Sequence, residues 1–117
     1  MSDQKRVTAF KIDAKAQLII PVTISCLTEM QECVGGYIER AGTLPNGDDV
    51  YVDEEGLLKL GQKGIFEGFT FKDAFQDWYA GNGLIIGADP LTGENQDAES
   101  TLAQLSEWVT FRSLVKL

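Results

Sequence analysis

The chain has 117 residues, is 44% hydrophobic and carries a net charge of −8 without a single histidine. This length predicts one domain, residues 1–117, around a single core, and the lack of histidine excludes histidine-based catalytic triads and His-containing zinc sites. No apolar run is long enough for a membrane-spanning helix, and the N-terminal segment lacks the apolar stretch of an export signal. We therefore expect a cytoplasmic protein.

The negative charge is concentrated in one part of the chain. Residues 1–47 hold five acids and five bases, whereas residues 48–107 hold thirteen acids and three lysines, a balance of −10. Such a surface repels nucleic acids and anionic membranes, so we expect neither as a direct partner. It favours basic partners: a cation, a polyamine or a protein with a basic surface. The alternative is that the charge only keeps the protein soluble.

The first two segments predict a β-hairpin. The segments "RVTAFKID" and "QLIIPVTI" are rich in strand-forming residues and are separated by a short turn. Pro21 has no backbone N–H to donate, which places the second strand at a sheet edge.

The segment "SCLTEMQECVGG" predicts an amphipathic helix. Leu27, Met30 and Val34 share one face, Ser25 or Thr28 can cap its start, and the glycine pair after Val34 supplies a left-handed residue that ends it.

Two cysteines lie on this predicted helix. Cys26 and Cys33 are seven residues apart, which on a helix separates their Cα atoms by about 10 Å, too far for a disulfide. We expect both to be reduced, at least partly buried and part of the core rather than nucleophiles.

A second hairpin follows, in which "YIERAGTL" and "DVYVD" flank "PNGD". Asn-Gly between alternating segments is a strong hairpin signal, with a positive φ at Asn46 or a bulge in its place. Strand alternation directs Val50 and Val52 towards the core and puts Asp49, Tyr51 and Asp53 on the opposite face.

The remaining elements complete an α+β pattern. The glycine-rich residues 61–69 predict a loop, "TFKDAFQDWYAG" a helix from Thr70 to a stop at Gly81, and "GLIIGA" a short buried strand. The last segment predicts a helix capped by Asp97, with an end that its β-branched residues allow to be extended. The order predicts one α+β domain with a mainly antiparallel sheet and two or three helices on one face.

Five carboxylates lie close together after the second predicted turn: Asp48, Asp49, Asp53, Glu54 and Glu55. Burial of Val50 and Val52 is expected to turn them outward, because an unpaired buried carboxylate costs several kcal/mol. We expect all five to be exposed at the hairpin ends and to form a partner-binding surface. A solvated hairpin end and a weak divalent-ion site stay open, although the spacing does not match an EF-hand loop.

No motif indicates catalysis. The glycines of "GNGLIIG" end a predicted helix and open a strand, the reverse of a dinucleotide fingerprint, and no spacing singles out a pair of carboxylates. We predict no catalytic residue, no metal and no cofactor. Tyr37, Glu39 and Asn82 lie beside glycine turns and are candidate residues for a nucleotide-like ligand.

Three blocks carry a resemblance: "LTEMQECVGGYIE", "LPNGDDVYVDEEGLLK" and "GNGLIIGAD". In this order they resemble a family of small phage and gut-metagenome proteins of unknown function, sometimes fused or adjacent to antirestriction proteins. The resemblance covers roughly residues 5–90 and departs from the family pattern between Leu60 and Gly81. It implies an accessory protein of a mobile element in the bacterial host cytoplasm and supplies no activity or catalytic residue.

The sequence therefore predicts a non-enzymatic, acidic accessory protein that binds a host macromolecule with a basic surface and inhibits a defence or nucleic-acid enzyme through its negative surface. A small-ligand binder, for example one that sequesters a nucleotide signal, is the main alternative, and a carboxylate-based enzyme is a third. A homodimer also stays open.

Overall fold

The structure is a computed structural model, and it describes residues 6–56, 65–72 and 78–115. Within these ranges the chain forms one α+β domain with a mainly antiparallel arrangement of strands, as the sequence predicts. The elements in chain order are β1 (Val7–Asp13), β2 (Leu18–Ile24), α1 (Leu27–Val34), β3 (Ile38–Thr43), β4 (Asp49–Asp53), β5 (Ile65–Phe71), β6 (Tyr79–Ala80), β7 (Gly83–Ala88), β8 (Asn95–Gln96), α2 (Leu102–Trp108) and β9 (Val109–Val115).

The strands form two sheets. The main sheet has the order β2-β1-β7-β4-β3, with β8 paired to the far end of β7, and the second sheet has the order β6-β5-β9. Every pairing between the described strands is antiparallel. The strand β7 therefore lies at the centre of the main sheet although it comes late in the chain.

The central position of β7 explains its apolar sequence. Leu84 and Ile86 point to one face and Ile85 to the other, and all three side chains are fully buried. A strand covered on both faces has no solvent side, so it shows a continuous apolar run instead of alternation. The expectation of a short buried strand at "GLIIGA" is confirmed.

The two faces of the main sheet are packed against different elements. On one face, Met30 and Val34 of α1 pack against Val7, Ala9, Ile24, Leu84 and Ile86. On the other face, the second sheet and Leu105 of α2 pack against Ile12, Val50, Val52 and Ile85. The prediction that the helices share one face is wrong, because the chain forms a second sheet that fills the other side together with α2.

The second sheet approaches the main sheet at Gly83. The Phe69 ring of β5 is fully buried, and a β-carbon on Gly83 would lie 2.6 Å from Cζ of Phe69. Gly83 pairs with Ile12 of β1 on one side and with Val52 of β4 on the other. The missing side chain therefore leaves the space that the Phe69 ring occupies in the middle of the sheet.

Both predicted hairpins form. β2 is an edge strand that contains Pro21, as its missing N–H requires. The second hairpin turns at Pro45–Gly47, with the N–H of Gly47 donating to Leu44 O and that of Leu44 to Asp48 O. The positive φ of 95° belongs to Gly47 and not to Asn46. The turn is therefore of the second predicted kind, in which a bulge replaces a positive φ at Asn46.

The helix α1 ends where the sequence predicts, but its start is capped differently. Its N-cap is Cys26, with no side-chain cap. Instead, the Glu29 carboxylate accepts hydrogen bonds from the Ser25 N–H at 2.7 Å and from the Ser25 Oγ at 2.6 Å, and the Ser25 hydroxyl and N–H lower the pKa of Glu29. Gly35 ends the helix in the left-handed region, at φ 87°, as predicted.

Three predictions after the second hairpin are wrong. Residues 65–69 belong to strand β5 and not to a loop, and Thr70, Phe71 and residues 78–80 are not helical; residues 61–64 and 73–77 lie outside the described part. Phe69 and Phe71 are both buried at alternate positions of β5, which is the spacing of a strand.

The third wrong prediction is the cap of the last helix. Asp97 accepts a hydrogen bond from the N–H of Thr8, and α2 is capped instead by Thr101 and Gln104 in a capping box.

The close approach at Gly83 leads to a first prediction. G83A places a β-carbon against the Phe69 ring, so we expect the free energy of unfolding to fall by about 1–3 kcal/mol, as for an overpacked core. Urea denaturation followed by tryptophan fluorescence measures this change.

The control is the same substitution in an F69L background. A smaller side chain leaves room for the added methyl group, so the two changes should be non-additive. If G83A lowers the free energy of unfolding by the same amount in both backgrounds, the Phe69 ring is not what makes a side chain at residue 83 unfavourable.

Candidate functional site

Asp48 is a buried structural carboxylate. Its side chain is fully buried, and its two oxygens accept hydrogen bonds from the N–H of Glu99 at 2.9 Å, the N–H of Ser100 at 2.8 Å and the Ser100 Oγ at 2.6 Å. Asn46 Nδ2 donates to the same Ser100 hydroxyl at 2.8 Å. Asp48 thus joins the tip of the second hairpin to the segment that leads into α2.

Asp49 and Asp53 are also buried, with exposed fractions of 7% and 9%. Asp49 accepts from the Thr43 hydroxyl at 2.9 Å, across the hairpin, and Asp53 accepts from the N–H of Glu55 at 2.9 Å in the turn that follows β4. The predicted alternation along β4 holds, since Val50 and Val52 face the second sheet while Tyr51 packs on the α1 side.

The predicted exposure of all five carboxylates is therefore wrong for Asp48, Asp49 and Asp53, and right for Glu54 and Glu55. The expectation rested on the cost of burying an unpaired carboxylate. That cost is offset here because backbone N–H groups and hydroxyls donate to the buried oxygens. The main donor, Ser100, is 52 residues from Asp48 in the chain, so no local pattern indicates the pairing.

A cleft lies where the second hairpin meets β6. It has a volume of about 470 Å³, and we call it the acidic cleft. Its lining residues come from β3, β4, the turn after β4, and the segment around β6: Glu39, Arg40, Ala41, Val52, Asp53, Glu54, Glu55, Gly56, Trp78, Tyr79 and Ala80.

The acidic cleft combines charge with aromatic surface. Among the residues that the structure describes, four that line the cleft carry carboxylates and one is a base, Arg40, so these residues have a net charge of −3. Three of the carboxylates, Glu39, Glu54 and Glu55, belong to exposed residues. The aromatic part is Trp78 and Tyr79. Carboxylates beside aromatic rings are the combination that binds organic cations.

Two glycines shape the wall of the acidic cleft. A β-carbon on Gly68 would collide with Tyr79 O and lie 2.6 Å from Cε2 and Cζ2 of Trp78, and one on Gly56 would lie 2.7 Å from Ala80 O. Tyr79 is held from the core side, since its ring centroid is 5.6 Å from that of Phe69. The aromatic wall is thus positioned by close backbone contacts.

A second cleft, of about 640 Å³, lies at the other end of β4. We call it the hairpin cleft; it is lined by Arg40, Thr43, Asn46, Gly47, Asp48, Asp49, Tyr51, Ala88, Asp89, Pro90, Gly93, Gln96 and Glu99. Burial raises the pKa of Tyr51, and the Asp49 charge adds to this while Arg40 opposes it. Asp48 and Asp49 belong to this cleft, so the predicted acidic surface is divided between two places.

The predicted ligand-binding residues do not converge. Asn82 accepts from the N–H of Ala14 at 2.9 Å and donates to Cys33 O at 3.4 Å, a structural role between α1 and the β1–β2 turn. Tyr37 is 68% exposed and lines neither cleft, whereas Glu39 lines the acidic cleft. Of the three, Glu39 alone shares a site with Glu54 and Glu55.

The cysteines are reduced and partly buried, as predicted. Both Cys26 and Cys33 are free thiols of intermediate exposure, and burial raises the pKa of Cys33, which keeps it a neutral thiol. In the part of the chain that the structure describes, no group of three or more Cys, Asp or Glu residues is placed to hold a metal ion, and no helix has the length and apolar character needed to cross a membrane.

Comparison with known proteins assigns the chain to a family. The model of the family described as "Domain of unknown function (DUF3846)" matches residues 7–110, and the chain belongs to this family. No curated protein and no solved structure matches the chain.

The role of Asp48 leads to a second prediction. D48A leaves the N–H and hydroxyl of Ser100 without their acceptor, and we expect it to lower the free energy of unfolding by about 2–4 kcal/mol. D48N should also destabilise, because its amide turns a donor towards these donors. Chemical denaturation measures both values.

E55A is the matched control. Glu55 is exposed, so we expect a change within about 0.5 kcal/mol. Equal stability of D48A and E55A would contradict a structural role for the buried carboxylate.

Proposed function

We propose that this member of the DUF3846 family is a non-enzymatic binding protein that takes basic side chains of a protein partner into its acidic cleft. The observation that carries the proposal is the described lining of that cleft, in which four carboxylate residues, one base and the aromatic residues Trp78 and Tyr79 surround about 470 Å³. The binding surface differs from the one expected from the sequence: Glu39, Glu54 and Glu55 form it, and the buried Asp48 and Asp49 do not.

The chemistry of the cleft favours lysine and arginine side chains. Exposed carboxylates form charge-assisted hydrogen bonds with guanidinium and ammonium groups, and an aromatic face attracts the same cations. Nucleic acid and anionic membranes are repelled by this charge. A protein with a basic surface, such as a nucleic-acid enzyme, is the class of partner that fits.

Two further observations support a binding role over catalysis. The chain contains no histidine, which removes the commonest general base near neutral pH. Asp48, the most buried carboxylate of the acidic cluster, has both oxygens occupied by hydrogen bonds within the chain, so it is held in place instead of being presented to a substrate.

The resemblance to small phage proteins supports the biological setting. A small, acidic protein of a mobile element can act by occupying the basic groove of a host enzyme, for example one of a defence system. The proposal therefore places this protein in the bacterial host cytoplasm and its target among host proteins that bind nucleic acid.

The volume of the acidic cleft favours a second candidate. A cleft of about 470 Å³ is in the range of small-molecule sites, so a free cation such as a polyamine is an alternative occupant. The phosphates of a nucleotide would meet four carboxylates, and a nucleotide-like ligand is therefore disfavoured at this cleft.

The proposed function is tested by removing charge only at the cleft. The triple variant E39Q/E54Q/E55Q keeps side-chain shape and changes the net charge from −8 to −5. We expect basic bacterial proteins captured by the wild-type chain at low salt to be lost by this variant, because surface ion pairs steer and hold such complexes. Quantitative mass spectrometry of proteins captured from lysate measures the loss, and captured proteins should also be released as salt rises.

The control variant is E32Q/E94Q/E107Q, which changes the net charge by the same amount. These three residues are exposed and line neither cleft. We expect it to retain the captured proteins. Equal loss from both triple variants would assign the binding to net charge alone, and undiminished capture by the cleft variant would contradict the proposal. Displacement of the captured proteins by spermine would extend the proposal to free cations.

A further inference from the structure

The strand β3 forms one edge of the main sheet. In the order β2-β1-β7-β4-β3 it pairs with β4 on one side only, among the residues that the structure describes. All six of its residues are exposed or half-exposed. An edge strand with accessible backbone groups is a template for the addition of another strand.

The hydrogen-bond pattern shows which groups of β3 face outward. The N–H of Glu54 donates to Tyr37 O at 3.0 Å, and the pairing continues with Ile38 opposite Asp53 and Glu39 opposite Val52. In an antiparallel pair, hydrogen-bonded and non-hydrogen-bonded positions alternate. Tyr37 and Glu39 therefore point their backbone groups at β4, and Ile38 and Arg40 point theirs out of the sheet.

The side chains of β3 also differ between the two faces. Glu39 lines the acidic cleft, and Ile38 packs on the α1 side. Arg40 borders both clefts, but it lies two residues after Ile38 and opposite Tyr51, and it opposes the rise that burial causes in the pKa of Tyr51. Its side chain therefore leaves the strand on the α1 side. A strand added beside β3 would thus meet carboxylates on one face, and an arginine with apolar surface on the other.

From this geometry we infer that the partner contributes an extended segment that pairs with β3 as an additional strand and carries basic residues at every second position. The inference rests on the proposed function and specifies that the partner binds as a β-strand. The basic residues point to the cleft face, near Glu39, Glu54 and Glu55. The residues between them are not basic, because Arg40 repels a cation on the α1 side.

The irregularity of β3 limits the length of this pairing. The register shifts between Arg40 and Gly42, and a β-bulge interrupts the regular spacing of backbone groups. The outward groups of Ile38 and Arg40 come before the shift. Main-chain hydrogen bonds at these two residues would supply affinity, and the alternate basic side chains would supply specificity.

Two peptides of equal composition test the inference on the full-length protein. One alternates arginine and threonine over six residues, and the other has three arginines followed by three threonines, both with blocked ends. We expect the alternating peptide to bind at least about tenfold more tightly by calorimetry. By NMR hydrogen exchange, it should protect the amides of Ile38 and Arg40, whereas that of Glu39 is already bonded to β4.

A pair of variants isolates the backbone contribution. R40P removes the outward N–H together with the arginine side chain, whereas R40V removes the side chain alone, so we expect R40P to bind the alternating peptide about tenfold more weakly than R40V. Equal binding of the two peptides, with unchanged exchange at Ile38 and Arg40, would overturn strand addition and leave the charge-based function standing. Failure of both peptides to bind at low salt would contradict the proposed function as well.

Discussion

The architecture depends on the contact between the Phe69 ring and Gly83. Gly83 lies in the central strand, between Ile12 and Val52, and a β-carbon there would collide with the Phe69 ring. Phe69 makes an edge contact with Phe71, with ring centroids 5.6 Å apart, and also contacts Tyr79. The same ring thus joins the core to the wall of the acidic cleft, and the geometry of the cleft follows from the packing of the sheets.

The elements with strong local signals were predictable from the sequence. Gly35 ends α1 because glycine alone adopts its left-handed conformation without cost, and Pro21 places β2 at an edge because it has no N–H. The sequence around Phe69 and Phe71 was misread, because helix-like spacing of aromatics overlaps with strand alternation over short stretches. The covering of the second face by another sheet depends on contacts between distant segments, which no local pattern contains.

The acidic cluster combines two classes of carboxylate that look alike in the sequence. Asp48, Asp49 and Asp53 are short side chains that stay near the backbone, where they accept hydrogen bonds at the hairpin and its turns. Glu54 and Glu55 are longer and remain exposed. The candidate site was therefore predictable in part: local sequence indicated the negative charge at the hairpin, whereas the aromatic wall from Trp78 and Tyr79 could be placed only by the tertiary structure.

The late position of β7 in the chain has a consequence for folding during synthesis. The two hairpins β1–β2 and β3–β4 are complete after residue 53, yet in the main sheet they are joined by β7, which lies between β1 and β4 and pairs through Gly83 with both Ile12 and Val52. Until the ribosome has released that segment, each hairpin exposes an unpaired inner edge. Folding is therefore governed by contacts of long sequence separation, which form slowly, and a nascent chain that stalls before β7 presents edges that favour aggregation.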